Sequence, residues 1–143
     1  MREILFKAKR KDNDKWVEGY YTTRNDKTFI GIDMSIGIDM FEIFCTPVIS
    51  WLEVDPKTLC QFTGLTDKNG KRIWENDILM VHLDDSYPED VTYETVEWGV
   101  AGWVTHEANS ADRQYLDEFD TEHFEVVGNI FDNKELLQEE SDE

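Results

Sequence analysis

Basic residues are scarce in this chain: 14 Lys and Arg stand against 32 Asp and Glu, a formal net charge of −18 on 143 residues. A surface that negative repels phosphate backbones and opposes compaction through self-repulsion. Ordinary binding to DNA or RNA is therefore disfavoured. Cysteine is almost absent. Cys45 and Cys60 have no Cys-x-x-Cys spacing, and their apolar settings, IFCTP and TLCQF, point to buried reduced thiols rather than a disulfide. Long apolar runs are missing too. Nothing approaches the roughly 20 residues that a membrane span needs, and MREILFKAKRKDNDKW turns charged before reaching the length of a signal-peptide core. The expected location is cytoplasmic, with no membrane partner.

Catalytic punctuation is equally thin. There is no G-x-S-x-G, and neither cysteine has the polar, electropositive neighbourhood that activates a thiolate. GxGxxG and Walker-type runs are absent, so no phosphate cradle and no cofactor is expected. His82, His106 and His123 include the neighbours His106-Glu107 and Glu122-His123, but without HExxH or a close pair they read as scattered surface or half-buried side chains. No catalytic, cofactor-binding or metal-ligating residue is assigned, and the chain reads as a non-enzyme.

What the sequence does have is aromatic and apolar bulk: 40% hydrophobic and 13% aromatic residues, five of them Trp. That is too much sticky surface for a disordered chain to leave in water. The length fits one domain with a real core, or a small domain with a β-rich extension. Period-2 alternation predicts an opening hairpin, with strands at residues 4–9 and 16–21 around the polar KDND, then strands at 28–32, 41–45 and 48–53. GIDM occurs at 31–34 and again at 37–40, too close for a structural repeat, and reads as a loop. Asp55-Pro56-Lys57-Thr58 carries a helix-start signal with room for a single turn. Further strands are expected at 78–83 and 124–127, with a hairpin of 91–97 and 100–106 around Trp98-Gly99. An acidic loop falls at 84–90, and a short C-terminal helix capped by Asp132 or Asn133 leads into a frayed tail.

The most informative stretch is QFTGLTDKNGKRIWENDILMV, residues 61–81. Asn69-Gly70 between β-prone runs predicts a two-residue hairpin loop with both residues at positive φ. A second turn follows at Glu75-Asn76-Asp77. There the acidic side chains are suited to accept hydrogen bonds from exposed backbone N–H groups, with divalent-cation binding by Glu75, Asp77 and Asp67 as the less favoured alternative. This stretch resembles the signature of the YopX family, small proteins encoded by bacteriophages and prophages, which typically reads QYTGLKDKNGKEIYEGDIV. The opening MREILFKAKR and the closing EVVGNIFDNKELL, residues 125–137, resemble the family's ends in the same order. Thr63, Gly64, Asp67, Asn69, Gly70, Glu75, Asp77 and Ile78 carry the family pattern and are read as structural. Asn76 replaces the usual Gly, a substitution compatible with positive φ.

The resemblance implies a mainly β fold. Residues 1–55 would form a β-hairpin-rich segment, residues 56–132 a small SH3-like barrel spanning about Leu59 to Phe131, and residues 133–143 a short helix and acidic tail. It also implies an accessory phage role of uncharacterised mechanism. The leading functional reading is a protein-binding module whose partner is a host or phage protein. Two alternatives are an acidic nucleic-acid mimic that occupies a host DNA-binding or defence protein, and a metal-dependent hydrolase using clustered carboxylates. Trp74, Trp98 and Trp103 lack the basic neighbours of a stacking site for single strands, and are read as core or interface. Trp16, Tyr20, Tyr21, Phe29, Phe41, Phe44 and Trp51 exceed what the N-terminal strands can enclose, which predicts a symmetric dimer through that segment.

Overall fold

The structure, a computed structural model, describes residues 3–33, 49–82, 87, 89–108, 110–117 and 121–137. The expected strand at 41–45, Cys45, the second GIDM copy, most of the acidic loop at 84–90 and the tail from 138 lie outside these residues. By internal contact the chain divides into two units, Glu3–Gln61 and Phe62–Glu143.

In the first unit the polar turn after β1 (Phe6–Lys9) folds β2 (Trp16–Arg24) back beside it, pairing Phe6 with Gly19 and Lys9 with Trp16. Next come β3 (Lys27–Asp33) and β4 (Ile49–Val54), and β5 (Cys60–Thr66) begins with Cys60 and Gln61 paired to β1 on its other side. All pairings are antiparallel, in the order β4-β3-β2-β1-β5. Asn25 and Asp26, at φ 54 and 65, make the two-residue loop between Arg24 and Lys27. Alternation puts Ala8, Ile30 and Val54 into a core with Phe6, Val17 and Leu59 packed against it. As expected, a single turn follows Asp55: Pro56–Thr58 is a 3-10 turn whose Lys57 N–H donates to Asp55 Oδ1 (3.0 Å). The Thr58 hydroxyl accepts from the Lys9 N–H (2.8 Å), tying that turn to β1.

In the second unit the rest of β5 pairs with β6 (Arg72–Trp74). A five-stranded antiparallel sheet is built from β7 (Asp77–His82), β8 (Val91–Trp98), β9 (Trp103–Glu107), β10 (Gln114–Tyr115) and β11 (Phe124–Asn129), in the order β10-β9-β8-β7-β11. Ile73, Leu79, Val81, Val96, Phe124 and Val126 form its core. The predicted hairpin around Trp98-Gly99 is present, with Trp98 opposite Trp103 and the Gly99 N–H donating to the Gly102 carbonyl (2.7 Å).

Two expectations require correction. Among the described residues the strands do not close into an SH3-like barrel. The sheet is open, its edges are β10 and β11, and β10 is only two residues long, too short to carry a further ladder. There is also no C-terminal α-helix among them: Lys134–Leu137 is one 3-10 turn. The reason lies in Asn133, whose Oδ1 accepts from the Asn129 N–H (3.2 Å) instead of capping forward. Asn129 in turn accepts from the Phe131 and Asp132 N–H groups (both 2.9 Å). The closing run is therefore held as a knot of Asx turns in place of a helix.

Candidate functional site

The signature residues come together in the second unit, each by a local cause. Asp67 follows β5 and is only 6% exposed. Its N–H donates to the Lys71 carbonyl (2.8 Å), and the Gly70 N–H donates back to the Asp67 carbonyl (3.0 Å). The loop is therefore Lys68-Asn69-Gly70, three residues with Gly70 at φ 82, the form in which a tight turn is followed by a left-handed residue. Asn69 does not have positive φ, so the expected two-residue loop is corrected. Asp67 Oδ1 accepts from the N–H groups of Asn69 (2.8 Å) and Lys71 (2.9 Å), while Oδ2 accepts from Val126 on β11 (2.9 Å). The Lys68 N–H adds a bond to the Phe124 carbonyl (3.1 Å). One buried carboxylate thus shapes the hairpin and fastens it to a strand 59 residues away.

Thr63 and Gly64 lie where the β5–β6 register is irregular, and Gly64 has φ 92. The Thr63 hydroxyl bridges the irregularity, donating to the Ile73 carbonyl (2.7 Å) and accepting from the Leu65 N–H (3.2 Å). At the second turn Asn76 has φ 71. Asp77, buried, accepts from the Trp74 N–H at Oδ2 (2.8 Å). The Asn76 backbone donates to Val96 (2.8 Å) and accepts from Ile130 (3.0 Å), joining β8 to the end of β11. Glu75 is half-buried in the same turn, and Ile78 is fully buried between Thr95 and Gly128. Sequence reasoning missed the far partners, Val126, Phe124, Val96 and Ile130, because their contribution is backbone, which leaves no residue-type signal.

His82 and His123 line one cavity of about 300 Å³, and His106 lines another of about 110 Å³. His106 Nε2 lies 3.1 Å from the Thr95 hydroxyl and 3.3 Å from Glu97, which also holds Arg113 (2.6 Å). His82 Nε2 lies 3.9 Å from Glu125, and His123 Nε2 3.7 Å from Glu122. Among the described residues no group of three His, Cys, Asp or Glu is placed to hold a metal ion. Cys60 is a buried free thiol, its Sγ 3.2 Å from the Thr58 carbonyl oxygen.

Exposed aromatics occur in both units, Tyr20, Tyr21 and Trp51 in the first and Tyr87, Tyr93, Trp98 and Tyr115 in the second. Cross-strand register sets Tyr20, Gly31 and Trp51 in one row across β2, β3 and β4, and Thr22, Phe29 and Glu53 in the next. Both rows share a face. Gly31 has no Cβ to obstruct the Trp51 ring; a Cβ there would lie 2.6 Å from it. Tyr20 is 56% and Trp51 48% exposed. A cavity of about 410 Å³ opens between Phe29, Trp51, Thr22, Thr23 and Arg24. Of the other tryptophans, Trp74 is buried against Phe62 (centroids 5.6 Å), and Trp103 is partly buried with the exposed Trp98 edge-on to it (4.9 Å).

Comparison with known proteins places these features in a wider set. A crystal structure of protein EF1440 from Enterococcus faecalis is similar in fold, with a TM-score of 0.57 at 20% identity, covering 96% of this chain and 100% of that one. No curated protein matches the chain in sequence. The family model described as "YopX protein" matches residues 5–138, which takes in the Asp67 hairpin, the Asn76 turn and the closing Asx knot alike. The chain belongs to the YopX family.

Proposed function

We propose that this YopX-family chain is a non-enzymatic protein-binding module, an accessory protein of a phage or prophage acting in the host cytoplasm, and that it first binds a second copy of itself. The observation that carries the reading is the outward face of β2, β3 and β4, where the exposed Tyr20 and Trp51 lie in one row and the half-buried Phe29 in the next, with Glu53 and Arg24 at their margin. Contiguous exposed aromatics of this kind are characteristic of interaction surfaces, and Trp and Tyr are the usual anchors of such contacts. A second copy is the first occupant because β4 is the outermost of the described strands in its unit, and an edge beside an aromatic face lets a two-fold partner satisfy both at once. The family signature serves the fold in this reading, since the side chains of Thr63, Asp67 and Asp77 accept or donate bonds within the chain. Its phage setting follows from the resemblance to phage- and prophage-encoded proteins.

The test is a paired substitution. Trp51→Ser and Tyr20→Ser should each weaken self-association at least tenfold in sedimentation velocity, while Trp98→Ser, equally exposed but in the second unit, should leave it unchanged. Equal effects of all three would remove the assignment of the surface.

A further inference from the structure

Charge on the outward face of the first unit is arranged about a centre. Side chains alternate along a strand, so Glu18 and Arg24 share the face of Tyr20 on β2, and Lys27 and Asp33 share it on β3. Tyr21 and Ile30 are opposite each other in register. Glu18 and Arg24 lie three residues to either side of Tyr21, and Asp33 and Lys27 three residues to either side of Ile30, about 10 Å each way at a strand's rise. Two cations therefore stand at the hairpin end and two carboxylates at the other, with Tyr20 and Trp51 exposed between them. Lys7, opposite Glu18 on β1, holds its ammonium over the Trp16 ring, 4.7 Å from the centroid. Arg24 and Lys27 are exposed and directly opposed, a like-charge pair that weakens its own ladder. Among the described residues no carboxylate lies within ion-pair distance of either. The cavity of about 410 Å³ beside Arg24, Phe29 and Trp51 opens next to them.

We propose that two copies meet face to face on this surface, with a two-fold axis in the plane of contact that crosses β2 and β3 at the Tyr21–Ile30 pair. The arrangement rests on the reading of this face as the contact with a second copy, and adds how the two meet. Such an axis reverses strand direction, so β2 lies antiparallel over β2 of the second copy. Arg24 then stands over Glu18 of the second copy and Lys27 over its Asp33, and symmetry repeats both pairs at the other end. Facing sheets lie about 10 Å apart. Their mutual twist of about 30° shifts residues this far from the axis by about 5 Å, which long Arg and Lys side chains cover. Tyr20 falls over Thr22 of the second copy, so its ring enters the cavity between Arg24, Phe29 and Trp51. An axis along the strands would instead stack Arg24 on Lys27 and Glu18 on Asp33. Like charge on like charge is what selects against a wrong register.

The experiment is sedimentation velocity on the full chain and two variants, alone and mixed. Arg24→Glu sets carboxylate against carboxylate at both ends of the contact, and Glu18→Arg sets cation against cation, so each alone should weaken self-association at least tenfold. Mixed in equal amounts, the two variants carry complementary charge at both ends, and the mixture should associate within threefold of the parent. A folding fault in either variant would not be cured by mixing. Singles that associate like the parent, or a mixture no tighter than the singles, would overturn the register while the parent's own association leaves the contact surface standing. A monomeric parent would overturn both.

Discussion

Asp67 ties the hairpin that follows β5 to β11 in the second unit. Its two carboxylate oxygens take N–H groups from Asn69, Lys71 and Val126. Removing the acceptor leaves the buried Val126 N–H to bear its desolvation cost, about 1–3 kcal/mol, while the N–H groups of the exposed Asn69 and Lys71 turn to water. Asp67→Ala should therefore lose about 2 kcal/mol or more in urea denaturation, and Asp67→Asn, which keeps one acceptor oxygen, distinctly less. A loss below about 1 kcal/mol for Asp67→Ala would contradict the bond network. Gly70 offers a cleaner separation of causes. A Cβ there would meet nothing within 4 Å, yet φ is 82, so the penalty of Gly70→Val is conformational alone, about 1–2 kcal/mol. Asn69→Ala, at an ordinary φ, should stay within about 0.5 kcal/mol. Comparable losses at both positions would restore the two-residue loop.

At the scale of elements, β7, β8 and β9 form where the strand-forming pattern of the sequence puts them, and the Trp98-Gly99 hairpin and the single turn after Asp55 are present too. Burial along these strands does not alternate strictly: Asp77, Ile78 and Leu79 are buried in succession, as are Val104 and Thr105. Two kinds of feature stayed hidden. One is pairing between distant segments, such as β11 lying beside β7 with a bulge at Val126 to Gly128, which no local pattern encodes. The other is competition between equally polar fates for one side chain. Asn133 suits a helix cap, but in the fold it turns back to Asn129, and the helix does not form. The same competition explains Asn-Gly: the dipeptide marks a turn, and the Asp67 carboxylate selects which one. Gly128 follows from this knot, because a Cβ there would overlap the Asn133 side chain. Gly128→Ala should cost about 1–3 kcal/mol, and Asn129→Ala should speed amide hydrogen exchange at Phe131 and Asp132 while leaving the interior of β7 protected. Unaltered exchange at those two amides would remove the Asx knot from the account.

For the whole molecule, charge and aromatic surface pull in opposite directions. A net charge of −18 opposes nucleic acid, so at about 0.1 M salt no affinity for duplex or single-stranded DNA is expected, and a gel shift surviving 0.2 M salt would contradict this. The same charge opposes contact between two copies, so the proposed dimer should tighten as salt screens the repulsion. Its driving surface is the face bearing Tyr20, Phe29 and Trp51. Light scattering of the intact chain at tens of micromolar in 0.15 M salt tests this most directly. The account predicts a mass near twice the 16.8 kDa of one chain, and a mass near 16.8 kDa would contradict it.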